Sequence, residues 1–179
     1  EKKEKHDLVK YMLDEIVKPQ HCNVCREAIR SPEIYEFLDV SQINGRNFEQ
    51  SHWDTLRWIM NEVESYKRPV NCTKVYGGGN SGWGSGTFDD GVERFIRNIF
   101  GGTASARFHR PTSGTGLSER AVNAIRTIRL LEQHEPFWNM EPDLNLLSDR
   151  EDNEAYPVRN KKGSVLFIYF PSLGEVTLK

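Results

Sequence analysis

Polar side chains occur at the ends of three apolar segments that we predict to be strands. They are Asp39, Gln42 and Asn44 after the first strand, Lys74 in the second and His109 at the end of the third. Such side chains donate and accept hydrogen bonds, and in barrel enzymes the loops that follow the strands line the active site. The sequence therefore predicts a binding site at one edge of a sheet. For Asp39, Gln42 and Asn44, capping of a turn is an equal alternative.

A glycine-rich turn follows the second strand. Its sequence, GGGNSGWGSG, has six glycines between residues 77 and 86, and Tyr76 and Trp83 are the aromatic residues beside and within it. Plain connections in α/β units are usually about two to six residues long, so this turn is typical of a ligand-binding loop. Its aromatic rings are candidates for stacking on a ligand, with ordinary loop packing as the alternative.

Three strand–loop–helix units must position these residues. We predict strands at residues 35–40, 70–75 and 103–109. We also predict three helices: the first is capped by Ser51, the second spans residues 88–100, and the third is capped by Ser118. Apolar residues recur at helical spacing in each helix, and Gly101 and Gly102 end the second one. Consecutive units of this kind favour parallel strands and an α/β fold. Three units are less than half of an eight-stranded barrel.

The third strand alternates between two faces. Arg107 and His109 fall on one face, and Ala106 and Phe108 fall on the other. If the first face points towards a site, both polar residues are candidates; otherwise they form a buried hydrogen-bonded pair. We predict a site role for His109 and a structural role for Arg107.

The composition changes after His134. Two prolines and the acidic run SDREDNE precede three strand-like segments at residues 155–159, 164–170 and 175–178. Short strands joined by turns predict an antiparallel appendage, which we interpret as the start of a β-sandwich. The predicted organisation is a helical and irregular lead-in at 1–34, a βα region at 35–135, and a linker with the appendage at 136–179.

Composition excludes several classes of function. The 24 basic and 26 acidic residues give a net charge of −2, which argues against nucleic-acid or anionic-membrane binding. Three cysteines are too few for a disulfide framework, and the pair Cys22 and Cys25 lacks the four ligands of a structural zinc site. Asn71 begins a glycosylation sequon inside a predicted buried strand, where a glycan would not fit. We therefore predict no metal, no modification and no membrane partner.

Several motifs in order resemble one protein family. FLDVSQINGR, RPVNCTKVYGGG, ERFIRNIFGG, ARFHRP with GTGLSERA, and LLSDREDNEAYPV with GEVTLK resemble the C-terminal half of apiosidase-like bacterial glycoside hydrolases. The resemblance implies a (β/α)8 barrel followed by a small β-domain labelled collagen-binding. The three strands would be the sixth, seventh and eighth, and the first five, with the general acid/base, would be missing. It also implies a secreted or periplasmic protein. We predict no signal peptide in the segment EKKEKHD, because no apolar core follows its basic residues, and a signal encoded upstream is the alternative.

The resemblance implies that Lys74 occupies the position of the family's catalytic nucleophile. Retaining hydrolysis needs two carboxyl groups roughly 5–5.5 Å apart, and an ammonium group cannot attack the anomeric carbon. No acidic residue lies between Glu64 and Asp89, so a shifted alignment supplies no carboxylate. We therefore predict a glycoside hydrolase-like fragment, related to polysaccharide degradation, that is inactive alone and needs no cofactor.

In this prediction the partner is an oligo- or polysaccharide. The sugar-binding candidates are Asp39, Gln42, Asn44, Tyr76, Trp83 and His109. Self-association or a missing barrel half would complete the fold, because unpaired strand edges recruit partners. The alternative is a non-catalytic carbohydrate-binding or protein-interaction module.

Overall fold

A computed structural model describes residues 41–45, 49–64, 69–75, 88–108 and 116–179. The elements, in chain order, are β1 (Ser41–Gly45), α1 (Glu49–Glu64), β2 (Val70–Val75), α2 (Phe88–Phe100), β3 (Ser105–Phe108), α3 (Glu119–Glu132), β4 (Met140–Pro142), β5 (Leu147–Ser148), β6 (Tyr156–Asn160), β7 (Leu166–Tyr169) and β8 (Thr177–Leu178). Two short 3-10 helices, Phe137–Asn139 and Leu144–Leu146, flank β4. The predictions for residues 1–40 lie outside the described residues.

The first three strands form a parallel sheet in the order β1-β2-β3, which confirms the predicted α/β class and parallel pairing. The first strand of this sheet is Ser41–Gly45, a segment that we predicted to follow a strand at 35–40. Its sequence, SQING, has low β-propensity, so the pairing of Ser41 with Val70 and of Gly45 with Val75 specifies it. No closed barrel is formed by the described strands.

The helices agree closely with their sequence signals. The second helix spans Phe88–Phe100 as predicted, and the Ser118 hydroxyl accepts the Ala121 N–H as the predicted cap of α3. The first helix begins at Glu49, so Ser51 lies inside it and is not its cap. Gly101 follows α2, and its N–H donates to the carbonyl of Arg97 at 2.8 Å.

One face of the parallel sheet packs against the helices. Val70, Cys72 and Val75 of β2 are buried there, and the ring of Phe108 stacks on Phe95 of α2 with centroids 4.6 Å apart. Burial of apolar side chains supplies most of the stability of such a layer. This side of the sheet is therefore structural.

The C-terminal region forms two antiparallel sheets. One has the order β4-β6-β7 and the other pairs β5 with β8. The antiparallel pairing was predicted, but the short strands β4 and β5 lie in the segment that we had interpreted as a linker. Tyr156 and Val158 belong to the same core cluster as the βα helices, and the Tyr156 ring lies 4.7 Å from that of Trp53.

A buried polar cluster joins α1 and α2 to β6. It consists of His52, Arg94, Arg97 and Asn98, all at most 1% exposed. Arg97 Nη1 donates to Glu93 Oε2 at 3.1 Å and to Asn153 Oδ1 at 2.7 Å, and the Tyr156 hydroxyl donates to the same Asn153 oxygen at 2.8 Å. The arginine thus fixes α2 to the segment that leads into β6. We call this the buried junction.

Candidate functional site

The second face of the parallel sheet is polar. Asn71 in β2 is the register partner of Gln42 in β1 on one side and of Ser105 in β3 on the other. Register partners lie side by side on neighbouring strands. The backbone positions of the three residues therefore form a row across the sheet, which we call the polar row.

Two members of the polar row form a short hydrogen bond. The Ser105 hydroxyl donates to Asn71 Oδ1 at 2.6 Å, and Ser105 is exposed while Asn71 is half-buried. This bond uses the hydroxyl proton and leaves the amide group of Asn71 with two N–H donors, and both oxygens with lone pairs. Such a pair offers donors and acceptors of the kind that bind hydroxyl groups.

A second row lies nearer the carboxyl ends of the strands. There Asn44 is the register partner of Lys74, after a register shift between Ile43 and Asn44. A shift of this kind inserts an extra residue into one strand. The pairing brings two predicted site residues, Asn44 and Lys74, to adjacent strand positions.

The structure describes the backbone of some predicted site residues but not of the others. Gln42, Asn44 and Lys74 lie within strands, and their side chains are outside the described part. Asp39, Tyr76, Trp83 and His109 lie outside the described residues altogether. These assignments stay predictions.

Arg107 is exposed on β3, whereas Phe108 beside it is buried. The alternation of the third strand was predicted correctly, but the buried supporting role for Arg107 is wrong. The reason is that the polar side of β3 faces outwards rather than into a packed layer. An exposed guanidinium adds a positive charge and five N–H donors to this face.

Asn71 and Ser105 were not among the predicted site residues. Asn71 was considered only as part of a sequon, and Ser105 was not singled out. The alternation that places Arg107 on the polar face also places Ser105 there, two residues earlier, so this signal was available. The pairing of Ser105 with Asn71 could not be predicted from the sequence, because it depends on strand register.

The described strands offer few groups for acid–base catalysis or metal binding. None of the three strands contains Asp or Glu. Within the described residues there is no cluster of three or more His, Cys, Asp or Glu that could hold a metal ion. The arrangement can bind a polar ligand through amide, hydroxyl and guanidinium groups, and its strands supply no carboxylate for acid–base work.

None of the helices described is both long enough and apolar enough to cross a membrane. Comparisons with known protein families, curated proteins and solved structures find no match for this chain.

Proposed function

We propose that this chain is a glycoside hydrolase-like protein that binds carbohydrate on the polar face of its parallel sheet and does not hydrolyse glycosides by itself. The observation that carries the proposal is the polar row, with its hydrogen bond between Asn71 and Ser105 at 2.6 Å. Sugars present closely spaced hydroxyl groups, which pair with amide and hydroxyl side chains.

The exposure of this face supports the finer proposal of a partial (β/α)8 barrel. Parallel sheets normally have both faces covered, because crossover helices and a second layer pack on them. Here the helices cover one face, while Ser105 and Arg107 on the other are exposed. In a barrel that second face is the interior, and the carboxyl ends of the strands, where Asn44 and Lys74 lie, line the active site, whereas the polar row lies nearer the amino ends.

The absence of carboxylates from the three strands supports the non-catalytic part of the proposal. A retaining glycosidase needs a carboxylate nucleophile and a second carboxyl group as acid/base. The described strands provide neither, and Lys74 occupies the position where the resemblance implies the nucleophile. The proposal therefore assigns binding, and not turnover, to these residues.

Binding is tested by calorimetric titration with neutral plant-wall oligosaccharides. We expect Asn71→Ala and Ser105→Ala each to weaken the affinity about fivefold to tenfold, as loss of hydrogen bonds to a ligand does. Ser172→Ala, at an exposed serine in the turn after β7, is the matched control and should have no effect. Binding that survives both sheet variants would contradict the proposed site, and binding only to proteins would favour the interaction module.

Turnover is tested by release of a chromogenic aglycone from aryl glycosides. We expect no release by the unmodified chain, and none by Lys74→Glu, because one new carboxylate still lacks an acid/base partner on these strands. Robust release by the unmodified chain that Lys74→Ala abolishes would overturn the proposal and make Lys74 a catalytic residue.

A further inference from the structure

A cavity of about 420 Å³ lies on the outer side of the C-terminal sheet, where β4 and β6 meet the turn after β6. Its volume falls in the range of small-molecule sites, roughly 300–1,000 Å³. The charged and polar residues that line it are Glu141, Asp143, Arg159, Asn160, Lys161 and Lys162. We call this the charged pocket.

The floor of the charged pocket is held rigidly by Asn160. This side chain is 5% exposed, and its Oδ1 accepts the N–H groups of Ser164 at 2.9 Å and Val165 at 3.1 Å. Its Nδ2 donates to Glu135 Oε2 at 3.0 Å. Gly163, at φ 72°, completes the turn in a conformation that favours glycine. The turn that carries Lys161 and Lys162 is therefore preorganised, which lowers the entropy cost of binding.

The rim of the pocket holds two long ion pairs. Arg159 Nη2 lies 4.0 Å from Asp143 Oδ2, and Lys161 Nζ lies 3.9 Å from Glu141 Oε1. Both distances exceed the 2.7–2.9 Å typical of a direct charge-assisted hydrogen bond. At this separation a hydroxyl group can bridge the two partners, as a water molecule does. The cations and carboxylates thus retain donors and acceptors for a ligand.

The rim also carries a surplus of positive charge. It has three cations, Arg159, Lys161 and Lys162, and two carboxylates, Glu141 and Asp143. Lys162 is exposed and forms no ion pair with any described residue. The nearby Glu135 carboxylate accepts hydrogen bonds from the side chains of Asn139 and Asn160, and these bonds, together with the positive charge of Lys162, lower its pKa. Lys162 therefore attracts Glu135 without forming a direct ion pair, and its ammonium group keeps N–H donors for a carboxylate brought by a ligand.

We propose that the charged pocket binds a uronic acid unit of an acidic glycan. The ligand's carboxylate pairs with Lys162 and Arg159, and its hydroxyl groups bridge the two long ion pairs. A neutral sugar would leave the surplus positive charge unused, and a simple anion would leave the carboxylate acceptors unused. The inference rests on the carbohydrate part of the proposed function and assigns a second, acidic subsite to the same protein.

The test is calorimetric titration of the full chain with trigalacturonate and with its methyl ester, in which a methyl group on each carboxyl group removes the negative charge. We expect the ester to bind at least about tenfold more weakly, and Lys162→Gln and Arg159→Gln each to weaken trigalacturonate binding by about tenfold. Raising the salt concentration should weaken binding of the acid and leave that of the ester unchanged. Arg129→Gln is the matched control, because Arg129 is also exposed and paired with one carboxylate, Glu132.

The outcomes separate this inference from the proposed function. Equal binding of acid and ester, or unchanged binding in both pocket variants, overturns the inference. If neutral oligosaccharides still bind and depend on Asn71 and Ser105, the proposed function stands while the charged pocket fails. Trigalacturonate binding that depends on Lys162 but not on Asn71 supports a separate subsite. Equal competition by a glutamate-rich peptide would show that the pocket recognises acidic groups and not sugars.

Discussion

The buried junction and the charged pocket both lie around β6 and both contain arginine, yet their arginines are held differently. Arg97 is 1% exposed and makes contacts of 3.1 Å or less with two side chains. The Arg159 side chain is 48% exposed and reaches its carboxylate only at 4.0 Å. A buried charge that loses its partner destabilises the fold strongly, whereas water can replace the partner of an exposed charge.

This difference separates structural charges from charges that are available to a ligand. In the buried junction each group depends on its neighbours, and His52 Nδ1, Arg97 Nε and Asn98 Oδ1 have no hydrogen-bond partner among the described residues. In the charged pocket the groups keep hydrogen-bonding capacity at little cost, because solvent satisfies it. The two regions should therefore respond in opposite ways to mutation, with stability affected in one and binding in the other.

The largest contrast is expected between Arg97→Ala and Arg159→Ala. Removal of Arg97 leaves Glu93 and Asn153 without their buried donor, so we expect a loss of about 3 kcal/mol in the free energy of unfolding. Removal of Arg159 should change it by less than about 0.5 kcal/mol. Urea denaturation followed by circular dichroism measures both. Similar losses in the two variants would show that burial does not distinguish these regions.

Two glycines give the next contrast. Gly101 is required by packing, and Gly163 is required by backbone conformation. A Cβ at Gly101 would clash with Leu56 Cδ2 and lie 2.9 Å from the carbonyl oxygen of Arg97. We expect Gly101→Ala to destabilise the fold by about 2 kcal/mol. Gly163 has φ 72° and nothing within 4 Å of an added Cβ, so Gly163→Ala should cost about 1 kcal/mol.

An asparagine at each glycine position separates the two causes. Asparagine tolerates the left-handed conformation, so Gly163→Asn should recover most of the loss seen in Gly163→Ala. At Gly101 the larger side chain should cost more than alanine. Thermal melting of the four variants is the measurement, and recovery at Gly101 would contradict the packing argument.

The third contrast is one of pH. Burial, with Arg97 and Arg94 close by, lowers the pKa of His52 to about 3. Asn98 Nδ2 lies 3.3 Å from His52 Nε2 and can only donate, so this nitrogen accepts and the ring is neutral. The unfolded chain takes up a proton near pH 6.5, so the fold loses stability as pH falls through that value. From about pH 6.5 to about pH 5 the expected loss is about 1.6 kcal/mol.

The variant His52→Gln tests this assignment. It should flatten the pH dependence of the unfolding free energy between about pH 6.5 and 5, because glutamine takes up no proton. His134→Gln, at an exposed position in the turn after α3, is the control and should keep the wild-type slope. An unchanged slope in His52→Gln would mean that other groups cause the acid sensitivity.

Strong local signals predicted much of the fold. The bounds of β2 and α2 and the Ser118 cap agree with the sequence, since apolar periodicity, glycines and a capping serine act within a few residues. The strand β1 and the short strands β4 and β5 were missed, because pairing with distant segments specifies them. Sequence patterns do not contain that pairing.

The buried junction and the polar row could not be predicted for related reasons. Arg94, Arg97 and Asn98 are polar residues of α2, but α1, α3, β3 and β6 all contact this helix, so even these residues are buried. Asn71 and Ser105 meet only through the register of β2 and β3. Both features are set by tertiary structure and not by local sequence.

The smallest expected effect concerns the ion pair between Glu141 and Lys161 at the rim of the charged pocket. Its side chains are 67% and 66% exposed and its charges are 3.9 Å apart, so solvent screens most of their attraction. In a double-mutant cycle of Glu141→Gln and Lys161→Gln we expect a coupling of about 0.2–1 kcal/mol in the free energy of unfolding, falling towards zero in 1 M salt. Urea denaturation at low and high salt measures it. A coupling above about 2 kcal/mol that survives high salt would mean that the pair is structural like Arg97, and would remove the basis for a ligand that bridges it.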